Sequence, residues 1–154
     1  MRPSSPNVET FNGICVQLFA DLYEAFPVPI DIEPNALASS IRSPGQEFDE
    51  AWSMLEIAGE TVTFLRDEGF LTYRDRVLSG EFGGVRLTMK GLAILGIPVS
   101  LKPGEPSEPM IRKIKRIAAK GGEKVAAEAV QTLISEVFKF GLGAMTAGSS
   151  GVWT

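Results

Sequence analysis

Four cations sit in and beside one short stretch: Arg74, Arg76, Arg86 and Lys90, within "FLTYRDRVLSGEFGGVRLTMK". Closely spaced guanidinium and ammonium groups are phosphate-binding chemistry, because each can neutralise a backbone phosphate and release its counterion. Alternate residues of a strand share a face, so Arg74 and Arg76 are expected on one side and Asp75 on the other. A denser set follows in "MIRKIKRIAAKGGEK", where Arg112, Lys113, Lys115, Arg116, Lys120 and Lys124 stand against Glu123 alone, a balance of +5. Ile111, Ile114, Ile117 and Ala118 recur beside them. The segment therefore reads as a basic amphipathic helix, suited to nucleic acid, an anionic membrane surface or an acidic protein face. The opposite chemistry lies upstream. Between Phe48 and Gly69, the acids Asp49, Glu50, Glu56, Glu60, Asp67 and Glu68 meet only Arg66, a balance of −5. Carboxylates at that density repel a phosphate backbone. Asp49, Glu50, Glu56 and Glu60 are the candidates for a protein-binding face.

Catalytic chemistry finds little footing. There is no histidine, which removes imidazole acid–base work and His metal ligands, and Cys15 stands alone, so neither an internal disulfide nor a thiolate zinc site is expected. Asp49 and Glu50, like Asp67 and Glu68, are adjacent and so point to different sides of a helix. "GEFGG" lacks the spacing and following helix of a phosphate-cradling loop. The expectation is a protein that is not an enzyme and implies no cofactor and no metal.

The elements that must position these groups follow from periodicity. Phe11, Ile14, Cys15, Leu18, Phe19, Leu22, Tyr23 and Phe26 recur at steps of three and four, the stripe of an amphipathic helix, and "PVP" from Pro27 ends it. Ile30 and Ile32 suit a short strand, and Pro34 or Asn35 opens a short helix through Leu37 and Ile41. A long helix follows, its inward stripe expected at Phe48, Trp52, Leu55, Gly59, Val62 and Leu65 or Arg66. Gly59 costs about 1 kcal/mol there relative to alanine, and so marks a bend or a close approach of another backbone. Gly69 is its natural stop. "FLTYRD" and "GGVRLT" read as two strands joined by a Gly-rich loop, and Thr88 as the cap of a helix from Met89. "SLKPGEPSEP", with three prolines and a glycine, reads as a linker, and Ser107 as the cap of a final helical region broken at Gly121-Gly122.

On "FLRDEGFL" (Phe64–Leu71), the hairpin after it and "LTMKGLAIL" (Leu87–Leu95), the chain resembles the winged helix-turn-helix superfamily over about residues 10–100. Many bacterial members show a similar Leu-x-x-Glu-Gly-Phe/Leu helix exit and Leu-Thr-x-Lys-Gly helix entry. The resemblance implies an α+β, mostly helical fold, with three helices and a β-hairpin wing as the core and a C-terminal helical extension. It also implies a third helix that enters the major groove and a wing laid against phosphate.

Residues 1–9 are expected as a tail, 10–99 as the winged-helix domain, 100–109 as a linker, 110–147 as a C-terminal helical segment and 148–154 as a second tail. The wide apolar face of Val130, Leu133, Ile134, Val137 and Phe138 must be covered, and a homodimer is the expectation. The chain has 15 basic and 19 acidic residues, but the charge is divided: residues 1–69 hold three bases against twelve acids, and residues 70–154 hold twelve bases against seven acids. Such polarity calls for a charged partner, or for the two halves to meet each other. "MRPSSPNVET" carries no secretory leader and no apolar run reaches about 18 residues, so a cytoplasmic, soluble protein is expected. Two functions remain. One is a regulator that meets double-stranded DNA through Arg74, Arg76, Arg86 and Lys90, helped by Arg112, Lys113 and Arg116. The other is an interaction module that uses the acidic helix to bind an unidentified protein.

Overall fold

The computed structural model describes residues 6–41, 48–120 and 127–150. Among these the elements run α1 (Pro6–Ala25), β1 (Ile30–Ile32), α2 (Pro34–Ser40), α3 (Phe48–Asp67), β2 (Leu71–Thr72), β3 (Asp75–Arg76), β4 (Phe82–Leu87), α4 (Met89–Leu95), β5 (Pro98–Val99), β6 (Glu108–Pro109), α5 (Met110–Lys120) and α6 (Ala127–Ser150). The fold is α+β, helical for the most part, around a small antiparallel sheet, and the order is compatible with a winged helix. Residues 6–9, expected in a tail, form the first turn of α1. The expected helix break at Gly121-Gly122 lies outside the described residues.

Strand β4 is the centre of the sheet. It pairs with β1 on one side (Ile30 with Val85, Ile32 with Phe82) and with β2 and β3 on the other (Leu71 with Leu87, Arg76 with Phe82). Gly84 has φ of +67°. That left-handed kink is open to glycine at no steric cost, and it interrupts the strand opposite, giving β2 and β3 in place of one continuous strand. Its N–H is taken by the Asp31 carboxylate at 3.1 Å.

The end of α3 is fixed by local chemistry. Gly69 takes φ of +83°, the Phe70 N–H donates to the Leu65 carbonyl at 2.9 Å, and the Gly69 N–H donates to the Arg66 carbonyl at 3.0 Å. This is the Schellman arrangement, and Phe70 and Leu65 supply its apolar contact, both buried. Thr88 accepts from the Gly91 N–H at 3.0 Å as the cap of α4, and its own hydroxyl donates to the Gly69 carbonyl at 2.6 Å. One side chain thus ties the exit of α3 to the entry of α4.

The core gathers Phe19, Phe70, Phe82, Leu18, Leu22, Leu65 and Leu71 with Met110, Ile114 and Leu133, so both C-terminal helices belong to it. The segment 100–109, expected as a linker, is held between two paired strands. Residues 100–107 are the loop of a hairpin in which β5 and β6 pair (Pro98 with Pro109, Val99 with Glu108), and the Glu105 carboxylate accepts from the Leu101 and Lys102 N–H groups at 3.0 and 3.1 Å. Proline and glycine there make a tight turn, and α5 starts at Met110, downstream of Ser107. Close approach also seats α6: a Cβ on Gly141 would lie 2.8 Å from the Phe70 ring.

Candidate functional site

Most of the cations expected on phosphate are engaged within the chain. The Lys90 ammonium donates to the Glu68 carbonyl at 2.8 Å and lies 5.0 Å from the Phe70 ring centroid. A cation at the carbonyl end of α3 also meets the negative end of its dipole, so Lys90 fastens α4 to α3. Arg76 lies over the Phe82 ring, 4.8 Å from its centroid, and reaches α3: a Cβ on Gly59 would be 2.8 Å from its Nη2. The close approach expected at Gly59 is therefore made by a side chain, where the sequence suggested backbone. Arg74 lies across Gly84.

The basic helix is likewise occupied. Lys113, only 5% exposed, is paired with Glu105 and, at 3.5 Å, with Glu108. Arg116 holds Glu108 with both terminal nitrogens. That guanidinium, helped by Lys113, pulls the Glu108 carboxyl down to about 2. Lys113 likewise holds the Glu105 carboxyl below its ordinary value. Lys115 reaches Glu24 on α1 at 2.8 Å, lies over Tyr23 and lowers the Glu24 carboxyl. Here the two halves of the chain do meet each other. Arg86, Arg112 and Lys120 are exposed, and among the described residues no ion pair engages them. Lys124 lies outside the described residues.

The face expected to join two copies is turned inward. Leu133, Ile134 and Val137 are buried in the chain's own core, and Val130 and Phe138 are half-buried. Phe138 stacks on Phe11 with centroids 5.8 Å apart and meets Phe70 edge-on at 5.2 Å. The width of this apolar face is explained by α1, α4 and α5, which it packs against.

The acids of α3 behave differently. Glu50, Glu56 and Glu60 are exposed, and no ion pair reaches them among the described residues; the side chain of Asp49 lies outside that set. Trp52, expected inward, is 55% exposed, and its indole N–H donates to Glu56 at 3.1 Å. Trp52, Glu56, Glu60 and Phe64 follow one another at four-residue steps, a ridge that winds about 120° around the helix from its first member to its last. The side of α3 that is buried carries Met54, Ala58, Thr61, Val62 and Leu65. Beside this stripe runs an open groove of about 390 Å3, lined by Phe11 of α1 and by Glu56, Ile57, Glu60, Thr61 and Phe64 of α3. The Thr61 hydroxyl already donates to the Ile57 carbonyl at 2.6 Å. The charged groups among the groove's described lining are two carboxylates over an apolar floor, and the floor includes Phe64, itself 44% exposed.

Sequence reasoning passed over two features. One is the pairing of aromatic and acidic residues on a single stripe, for which the i, i+4 spacing from Trp52 to Phe64 is the signal. The other is the hairpin tip, where Val77 is exposed and Leu78 wholly so.

No helix of the described residues is long and apolar enough to cross a membrane. Comparison of the chain with family models, with curated proteins and with solved structures finds no match.

Proposed function

We propose that the chain is a winged helix put to protein binding, whose α1–α3 groove receives a cationic, partly apolar segment of a partner protein. The order helix, strand, helix, helix, hairpin, with the first strand and the hairpin in one antiparallel sheet, supports the winged-helix part of this reading. The function rests on one observation: Glu56 and Glu60 flank an apolar groove and have no cation of their own among the described residues. An apolar side chain of the partner loses water against Phe11, Ile57 and Phe64, at about 25 cal/mol per Å2 buried. Lysine or arginine beside it meets the carboxylates, which chiefly sets orientation and association rate. Duplex DNA fits less well, because α3 stands where the third helix of such a fold approaches the groove and it would bring carboxylates towards phosphates.

The test uses a fluorescein-labelled lysine-rich amphipathic peptide with leucine and phenylalanine on its apolar face. Anisotropy should report micromolar binding that weakens with salt, and Glu56→Lys combined with Glu60→Lys should weaken it by about tenfold or more, or about 1.4 kcal/mol. A random duplex run beside it should not be retarded at low salt. Retardation of the duplex, relieved by Arg74→Ala with Arg76→Ala, and no peptide binding would replace this reading with the DNA-binding one.

A further inference from the structure

The hairpin presents a shape and charge opposite to those of the groove. Its loop is closed by the Val77 N–H donating to the Glu81 carbonyl at 2.9 Å and the Gly80 N–H donating to the Val77 carbonyl at 2.8 Å. This holds Val77 and Leu78 out in solvent on a firm support, Leu78 with its whole side chain exposed. Arg74 just before β3, Arg76 on β3 and Arg86 on β4 are all exposed along the same hairpin. An apolar tip with cations behind it is the form of ligand that an apolar groove edged by Glu56 and Glu60 takes up.

We infer that the groove's occupant in the free protein is the hairpin tip of a second copy of this chain, each copy seating Leu78 of the other against Phe11, Ile57 and Phe64. This rests on reading the α1–α3 groove as a docking site. Two observations favour a second copy. First, both complementary halves lie on one chain, and the reach of Arg76 to Gly59 puts the hairpin beside the helix that carries the acids. A patch that holds a feature and its complement side by side is self-complementary about a two-fold axis. Second, the tip cannot fold back into its own groove while β3 pairs with β4 and the loop hydrogen bonds close, and among the described residues only those of α1 and α3 line that groove. The contact surface is then α3 with the hairpin, in place of the α6 face that the sequence suggested.

Sedimentation velocity across the micromolar range tests this on the full chain. The unmutated protein should pass from one chain to two as concentration rises, and added salt should shift the transition upward. Leu78→Ser breaks the tip and Glu56→Lys with Glu60→Lys breaks the groove. Both sets are exposed, so each variant should keep its far-ultraviolet spectrum and stay a single chain at concentrations at least about tenfold higher. An equimolar mixture of the two variants keeps one intact tip and one intact groove, and should recover part of the association. A mass of one chain at every concentration overturns the inference. So does a dimer indifferent to Leu78→Ser, or a mixture no better than either variant alone. The peptide titration above reads the groove separately. A monomer that binds peptide rejects the second copy and keeps the proposed function, whereas a Leu78-dependent dimer blind to peptide does the reverse.

Discussion

Gly59 and Gly91 both lie inside helices, and the structure gives opposite signs for their replacement by alanine. In an exposed helix interior such a change stabilises by about 1 kcal/mol, through the backbone entropy that glycine loses on folding. At Gly59 the new Cβ would lie 2.8 Å from Nη2 of Arg76, the far end of a long flexible side chain. Arg76 can swing aside at the expense of its contact with the Phe82 ring, about 0.5 kcal/mol at an exposed site. The propensity gain wins, and Gly59→Ala should be neutral or stabilising by up to about 0.5 kcal/mol. At Gly91 the obstacle is backbone. The Cβ would run into the Phe70 carbonyl oxygen and stand 3.2 Å from its carbon. That carbonyl accepts from the Thr88 N–H at 3.1 Å, and Phe70 also closes the cap of α3, so it has nowhere to retreat. Overpacking of this kind costs about 1–3 kcal/mol, and the propensity gain is smaller in a first turn than in an interior. Gly91→Ala should therefore destabilise by about 1–2 kcal/mol. The two variants should differ by about 2 kcal/mol, or about 4–8 °C in Tm for a chain of this size. Urea unfolding followed by circular dichroism, fitted as a two-state transition, measures both. A Gly91→Ala protein as stable as the unmutated one would refute the steric argument. A Gly59→Ala protein destabilised by more than about 1 kcal/mol would show that Arg76 is held far more firmly than described.

Acid should loosen the molecule. Arg116 and Lys113 depress Glu108 to about 2, and Glu105 and Glu24 are lowered by Lys113 and Lys115, all below their values in the unfolded chain. Their contribution is complete above the ordinary carboxylate range and is lost as pH falls through the folded values, so the urea midpoint should drop between about pH 5 and pH 2, and Glu108→Gln should flatten that slope. Lys113→Ala should lower the midpoint at neutral pH more than Arg116→Ala does, because Lys113 is buried and joins two carboxylates whereas Arg116 is exposed. Cys15 is wholly buried and its thiol is pushed well above its ordinary value, so Ellman's reagent should report no thiol in the folded protein and one after urea. Glu60→Gln removes one of two like charges four residues apart on α3. It should raise stability by about 0.2–0.5 kcal/mol while weakening the peptide complex, as thermal unfolding and anisotropy would show.

What the sequence disclosed and what it hid differ in range. The exit of α3, the cap at Thr88 and the hairpin were legible because each depends on residues within a few positions: Gly69 for the left-handed turn, a hydroxyl three residues before the N–H it accepts from, and glycines between two β-forming runs. The inward stripe of α3 is buried where expected at Gly59, Val62 and Leu65, but Met54, Ala58 and Thr61 share that side and Leu55 is only half-buried. Trp52 looked the better core residue and lies outside. Charge was the least legible property. A count finds a basic helix, but Lys113 and Arg116 meet acids five to eight residues back in a segment that reads as a linker, and Lys115 meets Glu24, which is 91 residues away. Those pairings turn an apparent binding surface into an internal clasp. They also leave the molecule's acids unevenly treated. Glu24, Glu105 and Glu108 have cations, while Glu56 and Glu60 repel each other beside exposed aromatic rings. For a lone chain that arrangement costs stability twice, in like-charge repulsion and in wetted apolar surface. A cationic ligand with an apolar anchor relieves both together, and this is the physical ground for placing the function at the groove rather than at the basic helix.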